Sequence, residues 1–334
     1  MRILVTGGSG FIGSHVVDAL LADGHEVTNL DKLTYAADPS NNAEAAANPR
    51  YRFVQGDICD ARLVGELVGE ADLVVNFAAE THVDRSLADP VPFVRTDVEG
   101  VAVLLETLRR APGRRLVHMS TDEVFGPLPP GEEARPDRPF APTSPYAASK
   151  AGAELLIAAY RHTYQLPITV IRSCNIYGPR QHPEKFIPLF ITQALRGEPM
   201  PLYGDGLQER EWLFIDDFVA AFRLLLEKLE AAPAVVHVGS GDRVPNRRVA
   251  EAICRLAGAP LGLIRSVADR PGHDRRYALD SSTARGLGWT PRTSLEEGLA
   301  RTVAWYRERA AALSEREEYR RWFAAQYGER LQGR

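Results

Sequence analysis

The stretch Arg2-Ile3-Leu4-Val5-Thr6-Gly7-Gly8-Ser9-Gly10-Phe11-Ile12-Gly13 opens on a short apolar run and turns abruptly glycine-rich. The run reads as a buried strand. Ile12, Val16 and Leu20 then recur at helical spacing over Phe11 to Ala22. Gly7, Gly10 and Gly13 therefore lie where a strand passes into a helix. Gly7 permits a tight turn, Gly10 lets a pyrophosphate approach the backbone, and Gly13 lets helix and strand pack closely. The amides that open the helix then face the phosphates. A glycine turn alone is common; the strand before it and the helix after it give it meaning. Asp31 ends a second strand, Glu26 to Leu30, about 20 residues further on, where a carboxylate accepts both ribose hydroxyls. That favours NAD over NADP, because a 2′-phosphate would be repelled.

Outward from this unit the first half keeps one rhythm. Strands are expected at Tyr51–Gln55, Asp72–Phe77, Arg115–Ser120 and Ile168–Arg172, with helices at Val98–Arg109 and Ala147–Tyr164. Continuous apolar strands alternating with helices imply an α/β fold, a Rossmann-type doubly wound parallel sheet covered on both faces. Beyond Ser173 the rhythm changes. Pro179, Pro183, Pro188, Pro199 and Pro201 crowd a short stretch, followed by a strand at Val235–Val238, a helix at Arg247–Ala257 and a helix from Leu295 with Leu299, Val303 and Tyr306 on one face. The expected division is a dinucleotide-binding domain over 1–173 with returning segments near 210–240. A smaller, discontinuous C-terminal substrate-binding lobe spans 174–320, interleaved with it, and a tail covers 321–334.

Composition narrows the function. A length of 334 residues, 45% hydrophobic and 25% charged, suits two lobes or one large α/β unit. The net charge of −4 argues against a nucleic-acid partner. Cys59, Cys174 and Cys254 lie far apart and form neither a disulfide framework nor a zinc pattern, so no metal is expected and a reducing cytoplasm is the default. The first apolar run is too short for a signal peptide. No run of ~18 apolar residues suggests a membrane span.

Two further clusters carry chemistry. Tyr146 and Lys150 stand at i and i+4 on one helix face, where an ammonium is expected to bring the phenol down toward neutrality and make it a general base. Alone, such a pair also fits a surface helix with a solvated lysine. Ser120-Thr121-Asp122-Glu123 ends the apolar run Leu116–Met119 at the mouth of the sheet. Two adjacent acids in a sheltered place are expected to show at least one raised pKa and divided acid and base roles. The same residues also suit a helix cap. Asp57-Ile58, after the third strand, could border an adenine. Asn76-Phe77-Ala78-Ala79, after the fourth, permits close approach of a cofactor.

Together, the glycine triplet, Tyr146 with Lys150, and Ser120–Glu123 resemble the extended short-chain dehydrogenase/reductases, and within them the dTDP-glucose 4,6-dehydratases. The likeness continues through Asp31–Ala36, Glu80–Ser86, Thr121–Gly126, Ser144-Pro145-Tyr146, Tyr177-Gly178-Pro179, Tyr203–Gly206 and Asp269–Tyr277. The resemblance implies a bound NAD also touched by Phe11, Ile12, Lys32, Thr34 and Thr96. It implies catalysis by Thr121, Asp122, Glu123, Tyr146 and Lys150. It further implies a nucleotide-sugar pocket of His82, Asn175, Glu184, Lys185, Phe186, Pro201, Tyr203, Arg210, Asn246, Arg270 and His273. Homodimerisation through a four-helix bundle of the two long helices is implied as well. Ile176, Phe186, Phe125 and Glu209-Arg210-Glu211 depart from the usual pattern, which leaves a UDP-sugar open in place of dTDP-glucose. A 4-epimerase or decarboxylase of the same fold needs Tyr146 and Lys150 but not the Asp122–Glu123 pair. A non-catalytic dinucleotide sensor needs neither.

Overall fold

The structure, a computed structural model, describes residues 1–314 and 317–332. Strands β1 (Arg2–Thr6), β2 (Glu26–Asp31), β3 (Tyr51–Gln55), β4 (Leu73–Asn76), β5 (Arg115–Thr121) and β6 (Ile168–Ser173) fall where their apolar runs predict them, to within a residue. They are followed by β7 (Asn175–Tyr177), β8 (Met200–Tyr203), β9 (Glu209–Phe214), β10 (Val235–Val238), β11 (Arg243–Pro245) and β12 (Ile264–Val267). Seven strands form one parallel sheet in the order β10-β6-β5-β4-β1-β2-β3. The order reverses between β1 and β4, which opens a crevice at the carboxyl ends of those strands. The expected Rossmann-type α/β fold is therefore observed.

The principal helices are α1 (Phe11–Ala22), α2 (Ala61–Glu70), α3 (Gly100–Arg110), α4 (Pro145–Tyr164), α5 (Phe186–Arg196), α6 (Ile215–Glu227), α7 (Asn246–Ala257), α8 (Leu295–Ser314) and α9 (Glu317–Leu331). Side-chain alternation along the strands divides the core between the two faces. Leu4, Val74, Leu116 and Val170 pack with Leu67 of α2, Leu104 of α3 and Ile157 of α4. Ile3, Val5, Val75, Val117 and Ile171 pack with Val16 and Leu20 of α1 and with Phe218 and Phe222 of α6.

Three differences from the expected layout have local causes. The proline-crowded stretch contains helix α5, because Pro188 falls in its first turn, where an amide has no helical acceptor to lose. Gly197, with φ of +68°, then ends that helix. The helix expected at Val98 begins instead as a π-helical turn over Val94–Glu99 that runs into α3. Such turns displace side chains from the regular helical face. The 321–334 tail lies in α9 as far as Leu331, and residues 333–334 lie outside the described residues. Strands β7, β9 and β11 make a second sheet, and β8 with β12 a third. Among the described residues, no helix is long and apolar enough to cross a membrane.

Candidate active site

The first cleft is built on the turn after β1. Gly7 has φ of +71°, and a Cβ placed there would stand 2.6 Å from the Ala78 amide nitrogen. A Cβ at Gly13 would strike the Gly7 carbonyl. Only glycines keep this cradle open, as the motif requires. Asp31, at the end of β2, accepts hydrogen bonds from the amides of Ser9 at 2.9 Å and Leu33 at 2.8 Å. Burial raises its pKa, and those two amides hold the rise in check. Lys32 pairs with Asp57 at 2.8 Å beside it. Every residue expected to touch the dinucleotide, from Gly7 through Thr96 to Tyr146 and Lys150, lines this one cleft. The glycine cradle and the buried carboxylate fit NAD.

At the inner end of the cleft, Thr121 closes β5 and caps the turn Asp122–Phe125. Its hydroxyl accepts from the Glu123 amide at 3.3 Å and donates to Asp122 Oδ1 at 3.2 Å. The cap and the acid pair are thus one feature, not alternatives. Asp122 is buried, and its Oδ2 has no hydrogen-bond partner. Burial, then the neighbouring Glu123 and Glu211, push its pKa well above the carboxylate range. Glu123 is also raised by burial, but Arg270, Arg210 and Lys185 pull the other way. Both acids are thus raised, as at least one was expected to be; Arg210 opposes the rise at each, and Arg270 and Lys185 oppose it at Glu123.

Helix α4 begins at Pro145 because Ser144 caps it, accepting from the Ala147 amide at 3.1 Å. This start places Tyr146 and Lys150 on the face turned toward the cleft. The phenol does not behave as the i, i+4 spacing suggests. Burial, then Glu123 and Asp97, push its pKa well above 10, with a Thr121 hydrogen bond opposing. Lys150 donates to the Met119 carbonyl at 2.8 Å, and burial lowers its own pKa. The expectation that the Lys150 ammonium brings Tyr146 down toward neutrality does not hold for the chain by itself. The residues alone leave the phenol protonated, and only added positive charge beside it would reverse that. Asp97, on the π-helical turn, went unnoticed in the sequence. It accepts from Ser149 at 2.7 Å and from the Glu80 amide at 3.0 Å, and burial raises its pKa to about 6.

A second cleft adjoins the first. His82, Asn175, Glu184, Lys185, Phe186, Pro201, Tyr203, Arg210, Asn246, Arg270 and His273 all line it. Thr81, Glu123, Asn175 and Lys185 line both clefts. Arg210 donates to the carbonyls of Glu209 and Asp274 at 2.8 and 2.9 Å and lies over the Tyr277 ring. Lys185 donates to the Thr81 carbonyl, and burial lowers its pKa to about 8. His273 Nδ1 lies 2.6 Å from Asp269, and burial lowers its pKa to about 4. Phe186 stacks on Trp212 with ring centres 5.6 Å apart. The carboxylate of Glu184 is held by both guanidinium nitrogens of Arg85, Nε at 2.8 Å and Nη2 at 2.5 Å. Side-chain oxygens of Asn175 and Asn246 and the Nε of Arg270 are buried without partners. Trp212, Asp84 and Tyr327 also line this cleft and were missed. Asp84 lay inside a quoted run and Trp212 two residues from Arg210, but neither position carries a periodicity that marks it.

Comparison with known proteins places this geometry. Residues 3–239 match the model of the NAD dependent epimerase/dehydratase family. The dTDP-glucose 4,6-dehydratase of Streptomyces niveus is 47% identical over 318 residues, covering 93% of this chain and 94% of its own. The low-salt glycan biosynthesis protein Agl12 of Haloferax volcanii is 46% identical over 307 residues, 92% of this chain and 98% of its own. DesIV, the dTDP-glucose 4,6-dehydratase of Streptomyces venezuelae crystallised with NAD and TYD bound, superposes with a TM-score of 0.89 at 47% identity. That match covers 93% of this chain and 98% of the other.

Proposed function

The chain belongs to the NAD dependent epimerase/dehydratase family, and we propose that it is a nucleotide-sugar 4,6-dehydratase converting dTDP-glucose to the 4-keto-6-deoxy sugar and water. The observation that carries this reading is the Asp122–Glu123 pair, buried at Asp122 and half-buried at Glu123, which lines the same cleft as Tyr146 and Lys150. An epimerase has no use for two acids held in unlike environments at that place. A dinucleotide sensor has no use for the second cleft.

NAD, held at the Gly7–Gly13 turn and beside Asp31, would supply the acceptor for the C4 hydride and the donor for C6. Tyr146, which the positive nicotinamide ring of a bound NAD would help to ionise, takes the proton of the 4-hydroxyl as C4 is oxidised, and Thr121 hydrogen-bonds the same oxygen. The 4-ketone acidifies C5, and Glu123 removes that proton. Asp122, which burial keeps protonated, gives its proton to the C6 hydroxyl, which leaves as water. A proton then returns to C5. The sum is loss of one water with no net oxidation. Lys150 steadies the charge on the phenol oxygen. Arg210, Arg270 and Lys185 meet the diphosphate, where Arg supplies the forked donor that two phosphates need.

The protein is incubated with dTDP-, UDP- and GDP-glucose side by side. The expected result is a 4-keto product lacking the 6-hydroxyl, formed fastest from dTDP-glucose. A product that retains the 6-hydroxyl refutes dehydration, and preference for UDP-glucose moves the substrate to the second reading. The enzyme is further read as a cytoplasmic homodimer. Val91 before the π-helical turn, Val94 at its start and Leu155 on α4 are 69%, 55% and 62% exposed. Such apolar exposure suits a four-helix contact between copies. Light scattering at micromolar concentration is expected to give twice the chain mass, and a monomer removes that part.

A further inference from the structure

Helix α9 carries side chains into the second cleft that the reaction described above does not use. Tyr327 is buried and lines the cleft, with its ring centre 5.9 Å from that of Tyr203. Trp322 meets the His82 ring edge-on at 5.6 Å, and the Tyr319 hydroxyl reaches Gln193 of α5 at 3.4 Å. The helix is thereby fixed against residues of the sugar-nucleotide wall rather than against the main sheet.

Its deepest polar contact is made by Gln326. The amide nitrogen donates to Asp84 Oδ2 at 3.1 Å and to the Tyr203 hydroxyl at 2.9 Å. Tyr203 in turn donates to the same Asp84 oxygen at 2.9 Å. The other oxygen of Asp84 receives Arg270 Nη1 at 2.9 Å. Both amide hydrogens of Gln326 are spent, and one carboxylate holds a tyrosine, an arginine and the amide in a fixed mutual arrangement. Burial would raise the Asp84 carboxyl, yet Arg270 and its other donors bring it below the usual range, so it stays ionised. Arg270 keeps its Nε buried and without a partner. A guanidinium anchored at one end with a donor left open is arranged for an anion that the chain does not supply.

We propose that α9 forms the outer wall of the nucleotide-sugar site, with Gln326 a positioning residue that acts through Asp84 to hold Arg270 and Tyr203 for the nucleoside diphosphate. This rests on the nucleotide-sugar reading of the second cleft. A ligand held this way gains affinity from preorganisation, since the arginine need not be ordered on binding. The interaction is made equally with substrate and with the reacting sugar, so it belongs to binding and not to the chemical step.

The test uses the full chain loaded with NAD. Gln326→Met keeps the length of the side chain and removes the amide. Gln326→Glu keeps the shape and sets a carboxylate against Asp84. Binding of dTDP alone is measured by calorimetry, and KM and kcat are measured with dTDP-glucose. Both variants are expected to bind dTDP about tenfold more weakly and to raise KM by the same factor, with kcat within about twofold of the parent. Bound NAD and the melting temperature stay unchanged. Unaltered dTDP affinity in both variants overturns the proposal, as does a fall in kcat at constant KM. If the parent binds dTDP but does not dehydrate dTDP-glucose, a tenfold loss in the variants still upholds the wall while the reaction assignment fails.

Discussion

Most groups facing the first cleft come in order from the carboxyl ends of β1, β2, β3, β4, β5 and β6, joined by Thr96 of the π-helical turn and by Tyr146 and Lys150 of α4. The second cleft gathers residues from near positions 82, 185, 202, 210, 246, 271 and 327, and no single sheet supplies them. One site is an edge of a regular object. The other is assembled from loops and helix ends that meet only in the folded chain. A parallel sheet with a reversal in its strand order creates the first by topology alone. The second exists because charged side chains such as Asp84, Glu184 and Asp269 hold Arg270, Arg85 and His273 in place.

The sharpest way to separate the two is a pair of variants with opposite signatures. Glu123→Gln is expected to lower turnover of dTDP-glucose about a thousandfold while bound NAD and dTDP affinity remain those of the parent. Gly7→Ala forces a side chain onto a backbone of positive φ and against Ala78, and is expected to weaken NAD about a hundredfold with dTDP binding spared. Water elimination at the parent rate by Glu123→Gln removes that residue from the C5 step. Equal loss of both ligands in Gly7→Ala makes the clefts one unit after all.

A smaller effect probes what the cofactor side costs the fold. Asp97 titrates at about 6 in the folded chain, chiefly through burial, against an ordinary value of 3.8. Lys150, the Ser149 hydroxyl and the Glu80 amide face it and favour its charge, while the Glu80 carboxylate opposes it. The folded state therefore binds this proton more tightly than the unfolded one. Its contribution to stability is intact below pH 3.8 and is lost as the pH rises through 6. Asp97→Asn removes the cost of ionisation. Relative to the parent, its melting temperature is expected to climb by roughly 4 °C between pH 4 and pH 8. A difference that stays flat with pH, followed by calorimetry, contradicts this.

The same contrast explains what could be read in advance. Gly7, Gly10, Gly13 and Asp31 announce themselves because their chemistry is local: a strand, a turn, a helix and a carboxylate one strand later. The apolar runs of β1 to β6 were legible for the same reason. Helix α5 was not read in advance because the place of Pro188 within a helix, not its presence, decides its effect. Asp97 was invisible because a π-helical turn breaks the spacing by which helix faces are read. The second cleft was found only through resemblance, and even then Glu184 was named without Arg85, its ion-pair partner. Tyr146 was assigned from spacing, but its protonation depends first on burial and then on Glu123 and Asp97, none of which spacing weighs.

Among the described residues, Thr81, Glu123, Asn175 and Lys185 line both clefts. On the proposed reading, a dinucleotide in one and a sugar nucleotide in the other would meet at that shared edge, reactive ring toward sugar. The handle by which the sugar is carried is insulated from the reagent that transforms it. Lineages built on this plan are free to exchange one handle for another by editing the distal wall, without retuning the chemistry at the junction.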